Sequence, residues 1–289
     1  MNAPLHHPLL FEMARSFVTL ARTLNLSHAV DQLGSTRQTV RRHIETLEAV
    51  MGVSLFIVED RRYRLTPEGE MALPSALSLI SRGQLWLQGQ LGHIDGMMRL
   101  AYENDDGWSY YQQQQPISEI WNGESDLLRA AIQGWADSCG HLESEHLAKV
   151  RPYALVYRET EAGWICVEVG ERSFYSAWWG WANARSSIGR ALDQFPGGAE
   201  FADIMRVPFL EVKASHSMRL DQVATRVPRD SVGEPVPLAY QRLLMGARMP
   251  DGSFAMLVFV DRADSVKIQG LDQSMLEQMP ADAAVEFAL

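Results

Sequence analysis

The 289-residue chain has only two cysteines, Cys139 and Cys166, and neither has the paired spacing with histidines that is typical of a zinc site. Two isolated cysteines also exclude a disulfide framework. No stretch approaches the roughly eighteen uninterrupted apolar residues of a membrane span, and the first residues lack a basic segment followed by an apolar run. We therefore expect no metal site, no membrane insertion, no export and a cytoplasmic location.

Motifs that typically accompany catalysis or nucleotide binding are missing as well. The sequence has no Walker loop, no Gly-x-Ser-x-Gly elbow and no His-Glu-x-x-His pair. Gly197-Gly198 predicts a turn rather than a phosphate-binding loop. With no cluster of nucleophile, base or metal ligands, we expect the protein not to be an enzyme, and the sequence identifies no cofactor.

Charge is unevenly distributed along a chain whose net charge is −10. Residues 1–67 contain eight arginines and six acidic residues, whereas the remainder contains 18 basic and 30 acidic residues. A basic head on an acidic remainder is typical of a nucleic-acid binder, because the remainder repels the phosphate backbone and orients the encounter. The length favours two domains over one.

A helix-turn-helix pattern occupies residues 27–51. Ser27 begins a short helical run, residues 34–36 interrupt it, and a second run follows from Arg37 to Met51. Thr36 is placed to cap the second helix, and Gly52 to end it. Its apolar residues form one stripe that is expected to face a core: Val40, Ile44, Leu47 and Met51.

The opposite side of this second helix is polar and cationic, with Gln38, Arg41 and Arg42 together and Arg37 in the first turn. Arginines near a helix N-terminus oppose the helix dipole, and a phosphate partner removes that conflict. Such a face usually contacts base edges and phosphates. The alternative is a solvated cationic face on an ordinary three-helix bundle.

Two short strands are predicted next, at residues 54–58 and 63–65, around a charged turn. A hairpin behind a recognition helix is a wing. Arg61, Arg62 and Arg64 would lie at or near its tip and contact backbone or minor groove.

Four segments, Ser27–Leu33, Arg42–Glu48, Gly52–Phe56 and Arg64–Glu70, resemble the DNA-binding domain of LysR-type transcriptional regulators in order and spacing. The resemblance covers about the first seventy residues and implies a winged helix-turn-helix that binds double-stranded DNA. With the cationic face and the wing, it gives these candidate DNA contacts: Ser27, Thr36, Arg37, Gln38, Arg41, Arg42, Arg61, Arg62 and Arg64.

This chain departs from the family pattern at three places. Thr36-Arg37-Gln38 stands where members typically have a Ser-Gln-Pro-type run, Arg41 occupies a position often held by serine, and Val58 one usually held by arginine. A sequence preference is therefore not transferable from the family.

Helices are expected on both sides of this motif. Phe11–Leu24 predicts the first helix, with Phe17, Leu20, Ala21 and Leu24 packing inward. Thr66-Pro67 begins another, which the apolar pattern extends as one long helix to about Met97. A solitary helix of this length cannot bury both sides, so a partner helix is expected. The LysR resemblance likewise implies pairing of linker helices in a homodimer or higher oligomer.

Beyond this helix, residues 102–116 are polar and turn-rich and predict a linker, and residues 117–150 are helical in two pieces. Two hairpins are predicted, 153–158 with 163–169 and 240–249 with 254–260. Between them, residues 174–190 have helical character and residues 200–212 are irregular. The expected domains are 1–66 (winged helix-turn-helix), 67–100 (dimerisation helix), 101–149 (linker and helical segment), 150–264 (sensor domain) and 265–289 (tail).

Two strands, a helical middle and three antiparallel strands is the order of a PAS-type sensor domain. Gly180-Trp181 before Ser187–Arg190, and Met249–Gly252 with Val260-Asp261, are also similar to that family. The resemblance implies a PAS-like antiparallel sheet with helices in place of the usual LysR-type effector domain. The expected fold class is therefore α+β.

The aromatic segment 174–181 is either core or the wall of a ligand pocket, since both use the same residue types. The candidate pocket residues are Trp164, Phe174, Trp178, Trp181, His216 and Tyr240. His216 is also weighed as a haem ligand against an ordinary surface or core histidine, which is the commoner case. Ala191 and its neighbours lack the cysteine that a flavin photosensor needs.

Two functions remain open. The first is a dimeric, sequence-specific transcription regulator whose C-terminal domain senses a small-molecule effector or a partner protein. The second is a winged-helix interaction adaptor that binds DNA weakly.

Overall fold

The structure is a computed structural model that describes residues 8–59, 62–105, 107–160, 163–228, 235–263, 265–271 and 287. It divides into two compact units, Met1–Gln84 and Leu85–Leu289. The first is a helical head with a two-stranded hairpin, and the second is built on a large antiparallel sheet. The predicted α+β fold class is confirmed.

The helices are α1 Leu10–Thr23, α2 Leu26–Leu33, α3 Arg37–Met51, α4 Pro67–Leu87, α5 Glu119–Asn122, α6 Asp126–Asp137, α7 Phe174–Trp179, α8 Trp181–Arg185 and α9 Gly198–Ser215. The strands are β1 Phe56–Glu59, β2 Arg62–Leu65, β3 Leu91–Ile94, β4 Met97–Glu103, β5 Ser109–Gln115, β6 Ala154–Thr160, β7 Gly163–Val169, β8 Met218–Pro228, β9 Pro235–Arg248 and β10 Phe254–Arg262. Short 3-10 helices lie at Glu145–Leu147, Arg151–Tyr153 and Leu192–Gln194.

In the first unit, α1, α2 and α3 pack around one apolar core that includes Phe17, Val40 and Ile44. Polar side chains set the helix starts: Asn25 Oδ1 accepts from Ser27 N at 2.9 Å. Two sequence predictions are corrected. Leu24 is the left-handed C-cap of α1, and Met51 is the last residue of α3. Both side chains are exposed, because each lies at the end of its helix and outside the core.

The hairpin β1-β2 pairs Phe56 with Leu65 and Glu59 with Arg62, as the predicted wing requires. The Phe56 ring packs edge-on against Phe17, with the ring centres 5.6 Å apart. Thr66 then caps α4, since its Oγ1 accepts from Gly69 N at 2.9 Å and donates to Ser54 O at 2.6 Å. These contacts join the hairpin to the start of the next helix.

The prediction of one helix from Glu68 to about Met97 is wrong. Helix α4 ends at Leu87, where Gly89 N donates to Trp86 O and Gln90 N to Leu85 O. Gly89 and Gly96 have φ of +70° and +79°, a conformation that glycine adopts without a steric penalty and that a helix does not contain. Residues after Gln90 therefore form β3 and β4 instead.

Among the described residues, the second unit contains an eight-stranded antiparallel sheet in the order β3-β4-β5-β8-β9-β10-β6-β7. The segment 102–116, predicted as a linker, is largely strand: β4 continues to Glu103, and β5 pairs with both β4 and β8. Because these strands extend the sheet, the predicted boundaries at 100 and 149 do not separate compact bodies in the structure.

Apolar cores cover both faces of this sheet. One face packs against α7, α8 and α9, and the other against α5, α6 and the 3-10 helices before β6. Residues 200–212, predicted as irregular, lie within α9, which contains Pro208 and buries Ile204, Phe209 and Val212. Within the described ranges, no helix combines the length and apolar character that a membrane crossing requires.

Candidate nucleic-acid interface and an aromatic cavity

The cationic side of α3 is exposed. Thr36 caps the helix by accepting from Thr39 N at 3.2 Å, while Val40 and Ile44 point into the core. This arrangement leaves the opposite side open, and its exposed residues are Thr36, Arg37, Gln38, Arg41 and Arg42. A donor-rich helix surface of this kind can approach a groove without moving any core residue.

Ser27 joins this surface through a direct contact with Arg37. Arg37 Nη2 donates to Ser27 Oγ over 2.8 Å, which connects the first turn of α2 to the first turn of α3. The hydroxyl therefore positions a guanidinium, and it remains partly exposed itself.

On the wing, Arg62 and Arg64 are both exposed. Arg64 Nη1 lies 3.2 Å from Glu59 Oε2, and both side chains are more than half exposed, so this ion pair restrains Arg64 only weakly. Arg61 lies outside the described residues. The wing thus presents two described cations beside its turn.

Sequence reasoning missed the residue that joins α3 to the wing. Glu48 Oε1 accepts hydrogen bonds from Leu55 N at 2.6 Å and Phe56 N at 3.2 Å. The available signal was an acidic residue one turn before the Gly52 cap, directly ahead of a strand. A second missed contact joins α1 to α3, where Ser16 Oγ and His43 Nδ1 are hydrogen-bonded at 2.8 Å and buried.

The second unit has a cavity of about 120 Å³ between the sheet and helices α7 and α9. Its wall is predominantly aromatic, with Trp108, Tyr110, Tyr157, Phe174, Tyr175, Trp178, Phe195, Phe201, Phe209 and Tyr240. Three of the six candidate pocket residues, Phe174, Trp178 and Tyr240, are in this wall.

The other three candidate pocket residues lie outside this cavity wall. Trp164 is buried next to the cavity and packs edge-on against Phe209, with ring centres 5.2 Å apart, but does not line it. Trp181 begins α8 and is 42% exposed. His216 caps the C-terminus of α9 with φ +47°, and its ring packs against Phe254 outside the cavity wall.

At one end of the cavity lies a buried polar cluster, here named the Asp221 network, which consists of Tyr110, Gln112, Arg219, Asp221 and Arg242. Asp221 accepts from Arg219 Nε at 2.8 Å, from Arg242 Nη2 at 2.9 Å and from Gln112 Nε2 at 3.0 Å. Arg242 also donates to the Tyr110 hydroxyl at 3.0 Å and to Gln112 Oε1 at 2.7 Å. Arg219 Nη1 pairs in addition with Glu211.

Burial lowers the pKa of Arg242, but Tyr110, Asp221 and Tyr240 together raise it by more, so it lies above its ordinary value and the guanidinium stays charged. Burial raises the pKa of Tyr110 well above its usual range and also raises the pKa of Tyr240. Both phenols are therefore neutral at physiological pH.

The parts of the chain that the structure describes contain no group of three or more histidine, cysteine or acidic side chains arranged to hold a metal ion. Burial raises the pKa of the Cys166 thiol to about 12, which leaves it protonated and unreactive.

Residues 11–70 match a family described as bacterial regulatory helix-turn-helix protein, lysR family. The chain is 36% identical over 74 residues to the HTH-type transcriptional regulator HdfR of Yersinia enterocolitica, covering 26% of this chain and 25% of that protein. It is 32% identical over 75 residues to the HTH-type transcriptional regulator BbuR of Bordetella bronchiseptica, covering 26% and 23%. Among solved structures, it is similar to oxidized OxyR of Corynebacterium glutamicum, with 28% identity, a TM-score of 0.28, and coverage of 29% of this chain and 27% of that one.

The chain thus spans about a quarter of the length of the curated relatives it matches. The matched range begins in α1, contains α2, α3 and the wing, and ends in the first turn of α4. Residues 11–70 therefore form a lysR-family helix-turn-helix domain.

Proposed function

We propose that this protein is a sequence-specific DNA-binding transcription regulator that acts as a homodimer and is controlled by its C-terminal unit. The exposed cationic side of α3, with Gln38, Arg41 and Arg42 outside the core, carries this proposal. It has the donors that base edges and phosphates require. The similar proteins HdfR and BbuR are transcriptional regulators, which supports the proposal.

For the C-terminal unit we propose a PAS-like sensor. Strands β6 and β7, a helical segment and strands β8 to β10 follow one another in the chain, and these five strands are contiguous in the sheet. The helical segment covers the sheet face that contains the cavity. A small, largely aromatic pocket beside a sheet is a common design for ligand binding, and a ligand there can shift a conformational equilibrium.

Helix α4 is the proposed dimer contact. Met71, Leu79 and Trp86 fall within about 80° of one another on the helix and are 72%, 41% and 68% exposed. An apolar stripe of this kind is stabilised when a second helix covers it.

We expect Leu79→Lys to shift the protein toward the monomer, because the charge would be buried in the pairing surface. Sedimentation velocity measures the change. Ile117→Lys, which places the same charge at an exposed apolar residue that is not part of α4, is the matched control. A dimer that persists in Leu79→Lys would contradict the role of α4.

DNA binding is tested with Arg42→Ala on a duplex selected from a random pool. If Arg42 contacts a phosphate, affinity should fall by about tenfold, and the slope of log affinity against log salt should decrease by about one. Arg15→Ala removes the same charge from α1, where Arg15 pairs with Glu12, and should leave both quantities nearly unchanged.

Gln38→Ala gives a different expectation on the same duplex pool, since glutamine reads a base rather than a phosphate. The ratio of the affinities for matched and mismatched duplexes should decrease, while the slope of log affinity against log salt stays constant. A wild-type slope near zero would instead favour a winged-helix adaptor with little affinity for DNA.

A further inference from the structure

Among the described residues of the cavity wall, Arg242 has a hydrogen-bond donor that is not used. Arg242 lines the cavity and is 97% buried, yet its Nε contacts no acceptor among the described residues. Its two terminal nitrogens are fully engaged with Asp221, Gln112, Tyr110 and the Met205 sulfur. A buried donor without a partner lowers the stability of the folded state, because it has lost its hydrogen bond to water and no protein acceptor replaces it.

The remaining wall is predominantly apolar and aromatic, and the volume of the cavity limits the size of an occupant. A cavity of about 120 Å³ is slightly smaller than the roughly 150 Å³ apolar cavity that accommodates benzene. The walls include Phe174 and Tyr240, whose ring centres are 5.5 Å apart. An occupant can therefore be no larger than about one aromatic ring with a small substituent.

The charge of the surroundings decides the charge of the occupant. Arg242 is neutralised by Asp221, and Arg219 by Glu211, so the two buried guanidiniums already have two carboxylates. A further anion would be desolvated without a cation of its own, whereas a neutral acceptor would satisfy Nε at no such cost.

We propose that this cavity binds a neutral, single-ring aromatic molecule carrying one hydrogen-bond acceptor, which receives the Nε–H of Arg242. The ring packs against the aromatic wall, and the acceptor fixes its orientation. Regulation of DNA binding by such a molecule rests on the function proposed above, whereas the binding itself does not.

Phenol and toluene test the proposal, because they have the same shape and differ in one polar atom. Each compound is titrated into the full chain in an isothermal titration calorimeter, at concentrations below the solubility limit of toluene. Phenol should bind about tenfold or more tightly than toluene, because it gains a hydrogen bond to a charged donor. Val260→Phe, which fills the cavity from β10, should abolish binding of both. Val258→Leu is a milder filling variant in case the first does not fold.

Toluene binding as tightly as phenol, benzoate binding more tightly than phenol, no binding of either ring, or full phenol affinity in the filled variants would each overturn the proposal. The same preparation is assayed on duplex DNA without any ligand. Phenol binding without DNA binding would contradict the proposed regulator function and support the cavity assignment. DNA binding without phenol binding would contradict the cavity assignment and support the regulator function.

Discussion

Replacing Asp221 by asparagine should lower the free energy of unfolding of the Leu85–Leu289 unit by about 3–5 kcal/mol, the usual effect of removing one partner from a buried ion pair. Asp221 is completely buried and accepts from both Arg219 and Arg242. Arg219 keeps Glu211, but Arg242 loses the carboxylate that balances its charge. An amide keeps only one of the two acceptor oxygens and cannot supply the charge.

Tryptophan fluorescence during urea denaturation measures this loss selectively. All eight tryptophans lie between positions 86 and 181, within the second unit. Asp251→Asn is the matched control, since Asp251 pairs with Arg158 at 2.7 Å on the exposed turn between β9 and β10 and should contribute little. Equal shifts of the urea midpoint in the two variants would contradict a structural role for the Asp221 network.

The elements predicted correctly from the sequence are those whose structure is set by neighbouring residues. Helix α3 has a Thr36 cap, a periodic apolar stripe and a left-handed glycine at its end, and all three signals lie within seventeen residues. The β9-β10 hairpin is likewise specified by Pro250 to Ser253, where Met249 N donates to Ser253 O. Sequence patterns are sufficient to predict an element when the residues that stabilise it are near it in the chain.

The failures share a non-local cause. The glutamine run in β5 has the composition of a solvated linker, but Gln112 is fully buried, where it bonds to Asp221 and Arg242. These partners lie more than a hundred residues away in the chain, so neighbouring residues do not reveal them. Arg219 and Asp221 also alternate with Leu220, a pattern that usually marks a solvent-facing side of a strand. Their same-face neighbour Val223, which is buried in the core, was the available contrary signal.

The candidate interface was more predictable than the cavity for the same reason. The cationic side of α3 follows from helix geometry alone once Val40 and Ile44 are assigned to the core. The cavity wall combines strands β5, β6, β8, β9 and β10 with two helices, and the aromatic segment 174–181 supplied only part of it. Trp181 belongs to this segment but lies outside the cavity wall. Gly180, with φ of +79°, separates α7 from α8 and leaves Trp181 exposed.

Gly69→Ala should destabilise the head by about 3 kcal/mol or more, the upper range for overpacking, although alanine is the better helix former. A Cβ at position 69 would lie 2.2 Å from the Leu55 carbonyl oxygen, which is backbone and which also accepts from Thr66 N at 3.0 Å. The first turn of α4 and the segment before β1 would have to separate. Because Glu48 on α3 accepts a hydrogen bond from Leu55 N, the strain would reach α3.

The expected result is a loss of far-UV circular dichroism at lower urea and weaker DNA binding, with the tryptophan transition of the second unit unchanged. The head contains no tryptophan, so the two signals separate the units. Gly92→Ala is the control, since a Cβ there meets no atom within 4 Å. Wild-type stability of the head in Gly69→Ala would mean that α4 can move away from Leu55 without cost, and the wing would then not depend on the close approach of helix and strand.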